Sequence, residues 1–398
     1  MATSGSAEKS VTSYDTLRFS WWFNSGDQNI TNNTTLVRWK LELIASAYGY
    51  ISSSGTKIWE VNVNGTPYSG YANVGISNNS TKTLAEGSTV VAHNPDGSKT
   101  FNFSFYQSFS GITFSGVALG LVQGSGSGVL TTIPRASSLT VATGTLGTAQ
   151  NLIINRAVNS FTHTITYSCG IYSGTVVTKT ALTSVPFTPA IEWATGAPNG
   201  DKVYIVLKIE TFNGSTSIGS KTYEMWANIP ASVAPSISGV VISEGASEVP
   251  SGFPYVQGKS KLNIKVTATG NQGSSIQRCV CEVAGVSYSG TNVITNVINQ
   301  SGTIVVKATV TDSRGRTATK NVNVTIVEYS VPSVSASVTR CDNRGNVDEA
   351  GEYMKVTYTM SISSLNEKNA TNYGIRYRKA SETDFVTENF VVSAYLFE

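Results

Sequence analysis

The chain has 398 residues, a formal net charge of +3, and only 13% charged side chains. That length exceeds one ordinary sandwich domain, and the scattered Lys and Arg leave no electrostatic footprint for nucleic acid or an anionic membrane. No apolar run approaches the roughly 18 residues that cross a bilayer, and the opening residues lack the apolar core of a secretory signal. Thr, Ser, Val and Asn recur throughout, with 36 Gly, 18 Tyr and 14 Phe, a composition that favours strands over helices. Hydrophobic residues at 40% are enough to build cores. The expected fold is all-β: tandem β-sandwich (immunoglobulin-like) domains joined by short linkers.

Residues 1–134 form the first expected unit, an aromatic-rich sandwich. Alternation over residues 37–43 sends Val37, Trp39, Leu41 and Leu43 to one face and Arg38, Lys40 and Glu42 to the other. Asn64-Gly65 and Asp96-Gly97 are dipeptides that favour tight hairpins. The run Gly124-Ser125-Gly126-Ser127-Gly128 lacks the Lys and helix of a phosphate loop and reads as a flexible hairpin tip. Proline among small polar residues at 131–138 closes the unit.

Residues 135–232 and 233–330 are the next two sandwiches, each roughly a hundred residues, the size of an immunoglobulin-like domain. Period-two stripes mark the third: Leu262-Ile264-Val266-Ala268, Val306-Ala308-Val310 and Val322-Val324-Ile326. Short linkers around Pro230, Pro235 and Pro332 imply a semi-rigid rod. Residues 331–398 read as a partial C-terminal β domain: its stripe Val356-Tyr358-Met360-Ile362 is clear, but residues 394–398 stop within an apolar, strand-like pattern. That ending is expected of the ordered part of a longer protein.

Catalytic chemistry finds few candidates. His93 sits in a turn, and His163 lies in a strand, facing outward or packed on a neighbour; neither accompanies a Gly-x-Ser-x-Gly elbow. A pair of carboxylates could cleave a glycosidic bond, but most of the acidic residues fall on polar faces or in turns. Cys279 and Cys281 are two apart in a strand and point the same way, so they bridge each other poorly. With Cys169 and Cys341 they read as reduced structural thiols, and no metal or cofactor is expected. Asn-x-Ser/Thr at Asn29, Asn32 and Asn79 reflects strand composition rather than glycosylation.

The aromatic residues of the first unit stand out. Strand neighbours point to opposite faces, so Trp21 and Trp22 cannot share a core, nor can Phe105 and Tyr106. Tyr68 and Tyr71 fall in an expected loop, where rings could stack on a sugar. Trp21, Trp22, Tyr68, Tyr71 and Tyr106 are the candidate contacts, with either a glycan or a neighbouring subunit as partner.

Several phrases occur in a telling order. They are Trp59-Glu60-Val61-Asn62-Val63-Asn64-Gly65, His93-Asn94-Pro95-Asp96-Gly97-Ser98-Lys99, Thr132-Ile133-Pro134-Arg135-Ala136-Ser137, Tyr255-Val256-Gln257-Gly258-Lys259-Ser260, Val310-Thr311-Asp312-Ser313-Arg314-Gly315-Arg316, and Arg340-Cys341-Asp342-Asn343-Arg344-Gly345. Over nearly the whole chain this order resembles the minor structural (tail) proteins of siphoviruses that infect Gram-positive bacteria. The resemblance implies a non-enzymatic component of a tail tip, baseplate or fibre in the virion, made in the host cytoplasm. Implied partners are other tail proteins, further copies of the chain as a trimer or hexamer, and host cell-wall glycan, with neither nucleic-acid binding nor membrane insertion. A bacterial surface adhesin or carbohydrate-binding rod is the alternative, and a tail-associated hydrolase a third.

Overall fold

A computed structural model describes residues 3–246, 248–369 and 371–392. Strands dominate; the helical elements among the described residues are two 3-10 segments, Ser25–Asp27 and Ile191–Gly196. The chain divides into two compact units, one of Met1–Pro189 with Tyr204–Ala227 and one of Ala190–Val203 with Asn228–Glu398. Residues 394–398, where the apolar ending was noted, lie outside the described residues.

The N-terminal sandwich follows from its alternation. In one sheet, Asp15–Trp22 pairs with Ser4–Ser10 on one side and Thr34–Ala45 on the other, and Thr81–Ala92 adds to Thr34–Ala45. The facing sheet runs Leu121–Leu130, Lys99–Ser108, Thr56–Val63, Thr66–Asn73. Leu17, Phe19 and Trp21 from one sheet meet Phe101, Phe103 and Phe105 from the other in a single core. The Phe19 ring stacks on Phe103 at 4.6 Å, and Trp21 meets Phe101 edge-on at 5.1 Å. Each fully buried side chain of this size stabilises the fold by roughly 2–3 kcal/mol. The charges of residues 38–42 turn outward as expected, where Arg18 pairs with Glu42 at 3.0 Å and Arg38 with Asp27.

The glycine-serine run is a strand rather than a flexible tip. Gly124, Gly126 and Gly128 lie within Leu121–Leu130, directly across from Phe105, Phe103 and Phe101. A Cβ at these three positions would come within 2.5–2.6 Å of the partner ring, so the missing side chains are the seats of the phenyl groups. Gly87 opposite Trp39 and Gly70 opposite Trp59 repeat the arrangement. Aromatic rings that cover cross-strand glycines recover the packing that glycine forfeits.

Tyr68 and Tyr71 also lie on a strand, Thr66–Asn73, and not in a loop. Asn64 and Gly65 both take positive φ, +52° and +86°, and close a two-residue turn after Val63. Such a turn lets pairing resume at once, with Thr66 opposite Val63. Pro67 is tolerated because this is an edge strand.

Two later sheet pairs share one plan. Ser138–Thr140, Gln150–Asn155 and Ser184–Phe187 form a three-stranded sheet, opposed by a five-stranded one in the order Gly144–Thr145, Thr216–Asn228, Lys202–Asn213, Thr162–Cys169, Tyr172–Thr180. The same strand order recurs with Ser236–Gly245, Lys261–Thr269 and Asn292–Ile294 against Tyr255–Val256, Thr317–Val327, Gly302–Asp312, Ile276–Val283 and Val286–Ser289. This is the immunoglobulin-like layout of two stacked sheets. The stripes at Leu262, Ile264 and Val266 and at Val306, Ala308 and Val310 supply the core of the latter pair, with Cys279 and Cys281 among them. The last segment forms two two-stranded sheets, Ser333–Cys341 with Tyr353–Ser361 and Thr371–Tyr377 with Val386–Val392.

Candidate functional site

Alternation sorts the five candidate aromatics. Trp21 is buried between the two sheets. Tyr68 faces the same interior: its ring lies 5.0 Å from Trp39, and its hydroxyl donates to Ser88 O at 3.0 Å across the sandwich. Trp22, half-buried, is on the outer surface of the first sheet, opposite Arg38. Tyr71 and Tyr106 both lie on the outer face of the second sheet, on strands separated by Thr56–Val63, with Tyr71 73% exposed and Tyr106 half-buried.

That outer face is built from strand register. Gln123, Tyr106, Glu60 and Ser69 form one cross-strand row; Ser125, Ser104, Asn62 and Pro67 form the next. Rows of this kind repeat about every 7 Å along the strands, with neighbours about 5 Å apart across them. A depression of about 390 Å³ lies over Lys9, Glu60, Tyr106, Gln123 and Ser125. A second, about 510 Å³, lies over Asn62, Asn102, Ser104, Ser125 and Ser127. The two depressions offer amides, hydroxyls and one tyrosine ring, with the Glu60 carboxylate within the row and the Lys9 ammonium beside it. This surface suits a polar, weakly charged partner held by many small contacts.

A second group of rings, three exposed tyrosines and a half-buried phenylalanine, escaped the sequence reading. Tyr14, Tyr48, Tyr50 and Phe114 gather at one end of the same sandwich, from segments far apart in the chain. Tyr48 and Tyr50 were visible as part of an aromatic-rich unit, but nothing local joins them to Tyr14 or Phe114.

The histidines have partners that look catalytic and are not accessible. His93 Nε2 lies 2.7 Å from Thr35 Oγ1, and its Nδ1 2.7 Å from Gly97 O. His163 Nε2 lies 2.9 Å from Ser137 Oγ. All four residues are buried, so neither hydroxyl–imidazole pair reaches a substrate. His163 therefore faces inward. Cys169, Cys279, Cys281 and Cys341 are buried with free thiols, and burial pushes the Cys281 thiol up to about 11, far from reactive thiolate. Among the described residues no group of three His, Cys, Asp or Glu side chains gathers to hold a metal. No helix among them is long and apolar enough to cross a membrane.

Burial holds both histidines below their ordinary pKa. The unfolded chain binds these two protons near pH 6.5 while the folded chain resists them, so stability is full above that pH and falls as the pH drops below it. Asp27, Asp96 and Asp342, whose pKa values are lowered by hydrogen bonds, act only below the usual carboxylate range. Urea unfolding midpoints should therefore decline between pH 7 and pH 5, and the pair His93→Gln, His163→Gln should flatten that slope. A flat profile in the native chain would show that both rings take up protons without leaving the fold.

The fold is that of a tandem β-sandwich protein, with a polar, tyrosine-bearing outer sheet face on its first sandwich. Residues 9–395 match the family described as "Siphovirus protein of unknown function (DUF859)", and the chain belongs to that family. No curated protein matches it significantly. Among solved structures, fibronectin(III)-like modules of Clostridium thermocellum CbhA are 14% identical, with 48% of this chain and 94% of that chain covered at a TM-score of 0.20. A 1.5-MDa bacterial ice-binding adhesin is 12% identical, with 75% and 92% covered at 0.27. A tetra-tandem repeat from the extending region of a large adhesion protein is 11% identical, with 91% and 96% covered at 0.28. TM-scores this low assign nothing to the present chain.

Proposed function

We propose that the protein is a structural component of the phage tail, at the tip, baseplate or fibre, and that it contributes to adsorption on the host surface. The observation that carries this reading is the family match over residues 9–395. Three consecutive sandwich units, divided at 134, 232 and 330, with a partial β domain from 331 onward, belong to the same proposal; the strands of each sandwich fall between those positions. The contact face is the outer sheet surface with Tyr71 and Tyr106, used against a neighbouring subunit or a cell-wall glycan. Several copies on one tail would turn weak single contacts into avid attachment.

Electron cryo-microscopy of purified particles tests the placement: density for this chain repeated around the tail supports it, and its absence from particles while it fractionates with the cell envelope favours a surface adhesin. Substituting Tyr71 and Tyr106 together by Ala should lower adsorption or assembly yield severalfold, while the unfolding free energy changes by about 0.5 kcal/mol or less for exposed Tyr71 and by about 1 kcal/mol for half-buried Tyr106. Unchanged adsorption and assembly would remove this face from the proposal and leave the tail placement standing.

A further inference from the structure

The end of the first sandwich carries a different surface. Tyr14 follows the turn after Ser4–Ser10, Tyr48 and Tyr50 belong to the loop between Thr34–Ala45 and Thr56–Val63, and Phe114 lies in the small Thr113–Phe114/Val117–Ala118 hairpin. Tyr14 lies 5.8 Å from Tyr48 and 6.3 Å from Phe114, and Tyr50 lies 5.9 Å from Phe114, all at tilts of 59–60°. The tyrosines are not packed away: Tyr48 is 74% exposed, Tyr50 55% and Tyr14 46%. Rings tilted against one another make walls with open faces rather than one closed stack.

The loops that hold them are tied down. Ser46 N donates to Tyr14 O at 2.9 Å, Asn79 N to Ser46 O at 3.0 Å, and Asn78 Nδ2 to Ala47 O at 2.9 Å. Ile51 and Ile76 form a backbone bridge at the root of the loop. Gly49, between the two tyrosines, presses on the buried Asp15 carboxylate and on Tyr14 O, where a Cβ would collide. The loop thus lies flat on the Tyr14-Asp15 backbone, and its tyrosines splay to either side, one toward Tyr14 and one toward Phe114.

Composition then selects the ligand. Residues 11–14, 46–55, 77–80 and 109–121 contain no Asp, Glu, Lys or Arg. Tyr, Ser, Gly and Asn dominate, the mixture that binding loops use for rigid amphipathic contact at low entropic cost together with adaptable hydrogen bonds. An anionic polymer would find no cationic cluster in these loops; of the flanking ammonium groups, that of Lys57 lies beside Gly111 and that of Lys82 is tied to Asn73 Oδ1 and Gly75 O. Aromatic faces with hydroxyls at their rims match the apolar C–H face and equatorial hydroxyls of a pyranose ring.

From this we infer that the loop end formed by Tyr14, Tyr48, Tyr50 and Phe114 is a binding site for an uncharged saccharide. It is distinct from the sheet face of Tyr71 and Tyr106, and it does not require the protein to sit in a tail. The purified chain should be tested on an array of neutral oligomers of glucose, galactose, rhamnose and N-acetylglucosamine, with polygalacturonate as the acidic comparison, followed by calorimetric titration of any oligomer retained. At least one neutral oligomer should bind, and Tyr48→Ala and Tyr50→Ala should each weaken it about tenfold, the scale of one lost ring contact. Both variants should keep the native unfolding midpoint because the rings are exposed. Gly49→Ala should weaken binding with the tyrosines still present, which marks a positioned site. The inference is overturned if no neutral oligomer binds, if only polygalacturonate binds, or if the tyrosine variants bind as well as the native chain. Concentration-dependent dimerisation abolished by Tyr48→Ala would also overturn it, by making this surface an interface between copies.

Discussion

Replacing Gly128 by valine should destabilise the first sandwich by about 3 kcal/mol, the upper range for overpacking a well-filled core. A Cβ there would lie 2.5 Å from Phe101 Cε1 and 2.6 Å from Trp21 Cζ2, so rings from both sheets would have to move. Phe101 belongs to the adjacent strand and Trp21 to the facing sheet, and both are buried, so neither can move without opening the interior. The unfolding transition of this unit should fall by roughly 10 °C. Ser127→Val is the control. It sits one residue away on the exposed face and raises β propensity, so its effect should stay within about 0.5 kcal/mol. Pairing Gly128→Val with Phe101→Leu should recover part of the loss, because the smaller side chain makes room for the new methyl groups. Scanning calorimetry with tryptophan fluorescence reads all four proteins. A Gly128→Val variant as stable as the native chain would show that the glycine is not what seats the rings.

That strand also shows where sequence reading ends. Alternating glycine and serine looks like a flexible hairpin tip because the local string has no apolar residue to mark an inner face. The missing half of the pattern is on Lys99–Ser108, where Phe101, Phe103 and Phe105 stand opposite the glycines. Only with the two strands in register does a glycine become a seat. By contrast, the stripe from Val37 to Leu43 carries both its inner and outer faces in one stretch of chain, and it was legible at once.

Tyr68 and Tyr71 were nearly legible. Once Asn64-Gly65 is taken as a two-residue turn, Tyr68 must stand opposite Val61 and Tyr71 opposite Ile58. Val61 is core and Ile58 is not, so the pairing alone sends one tyrosine in and the other out. The loop-end rings lacked any such shortcut, because Tyr14 and Phe114 approach each other only through the closed sandwich. Two of the phrases that carried the family resemblance meet at one hydrogen-bonded joint. Ile133 N donates to Gly97 O, linking the segment that follows Leu121–Leu130 to the Asp96-Gly97 turn, and Arg135 Nη1 donates to Ile30 O.

Asp312-Ser313-Arg314-Gly315-Arg316 and Asp342-Asn343-Arg344-Gly345-Asn346 are one turn used twice. In each, the Asp Oδ1 accepts backbone N–H from two and four residues on, and a glycine with φ near +80° closes the loop. Arg344 stands exposed, whereas Arg314 reaches into the segment Ala190–Val203. Its Nε donates to Ala197 O at 3.1 Å and its Nη2 to Ala194 O at 2.7 Å, while Asn271 O and Gln272 O accept from the same guanidinium. Arg316 adds Ile229 O and Val233 O, at 2.6 and 2.8 Å.

Arg314→Ala should therefore release the Ala190–Val203 segment at a local cost of about 3 kcal/mol, because several carbonyls lose a charged donor at once. Amide exchange at residues 194–200 should accelerate about 100-fold, with the rest of the unit little changed. Lysine should restore less than half of that protection, since an ammonium cannot span carbonyls arranged for a planar fork. Arg344→Ala, in the matching turn with no such docking, should leave exchange at residues 194–200 unchanged. Full protection in Arg314→Ala would mean that other contacts, such as Ser313 Oγ to Pro198 O at 2.6 Å, hold the segment by themselves.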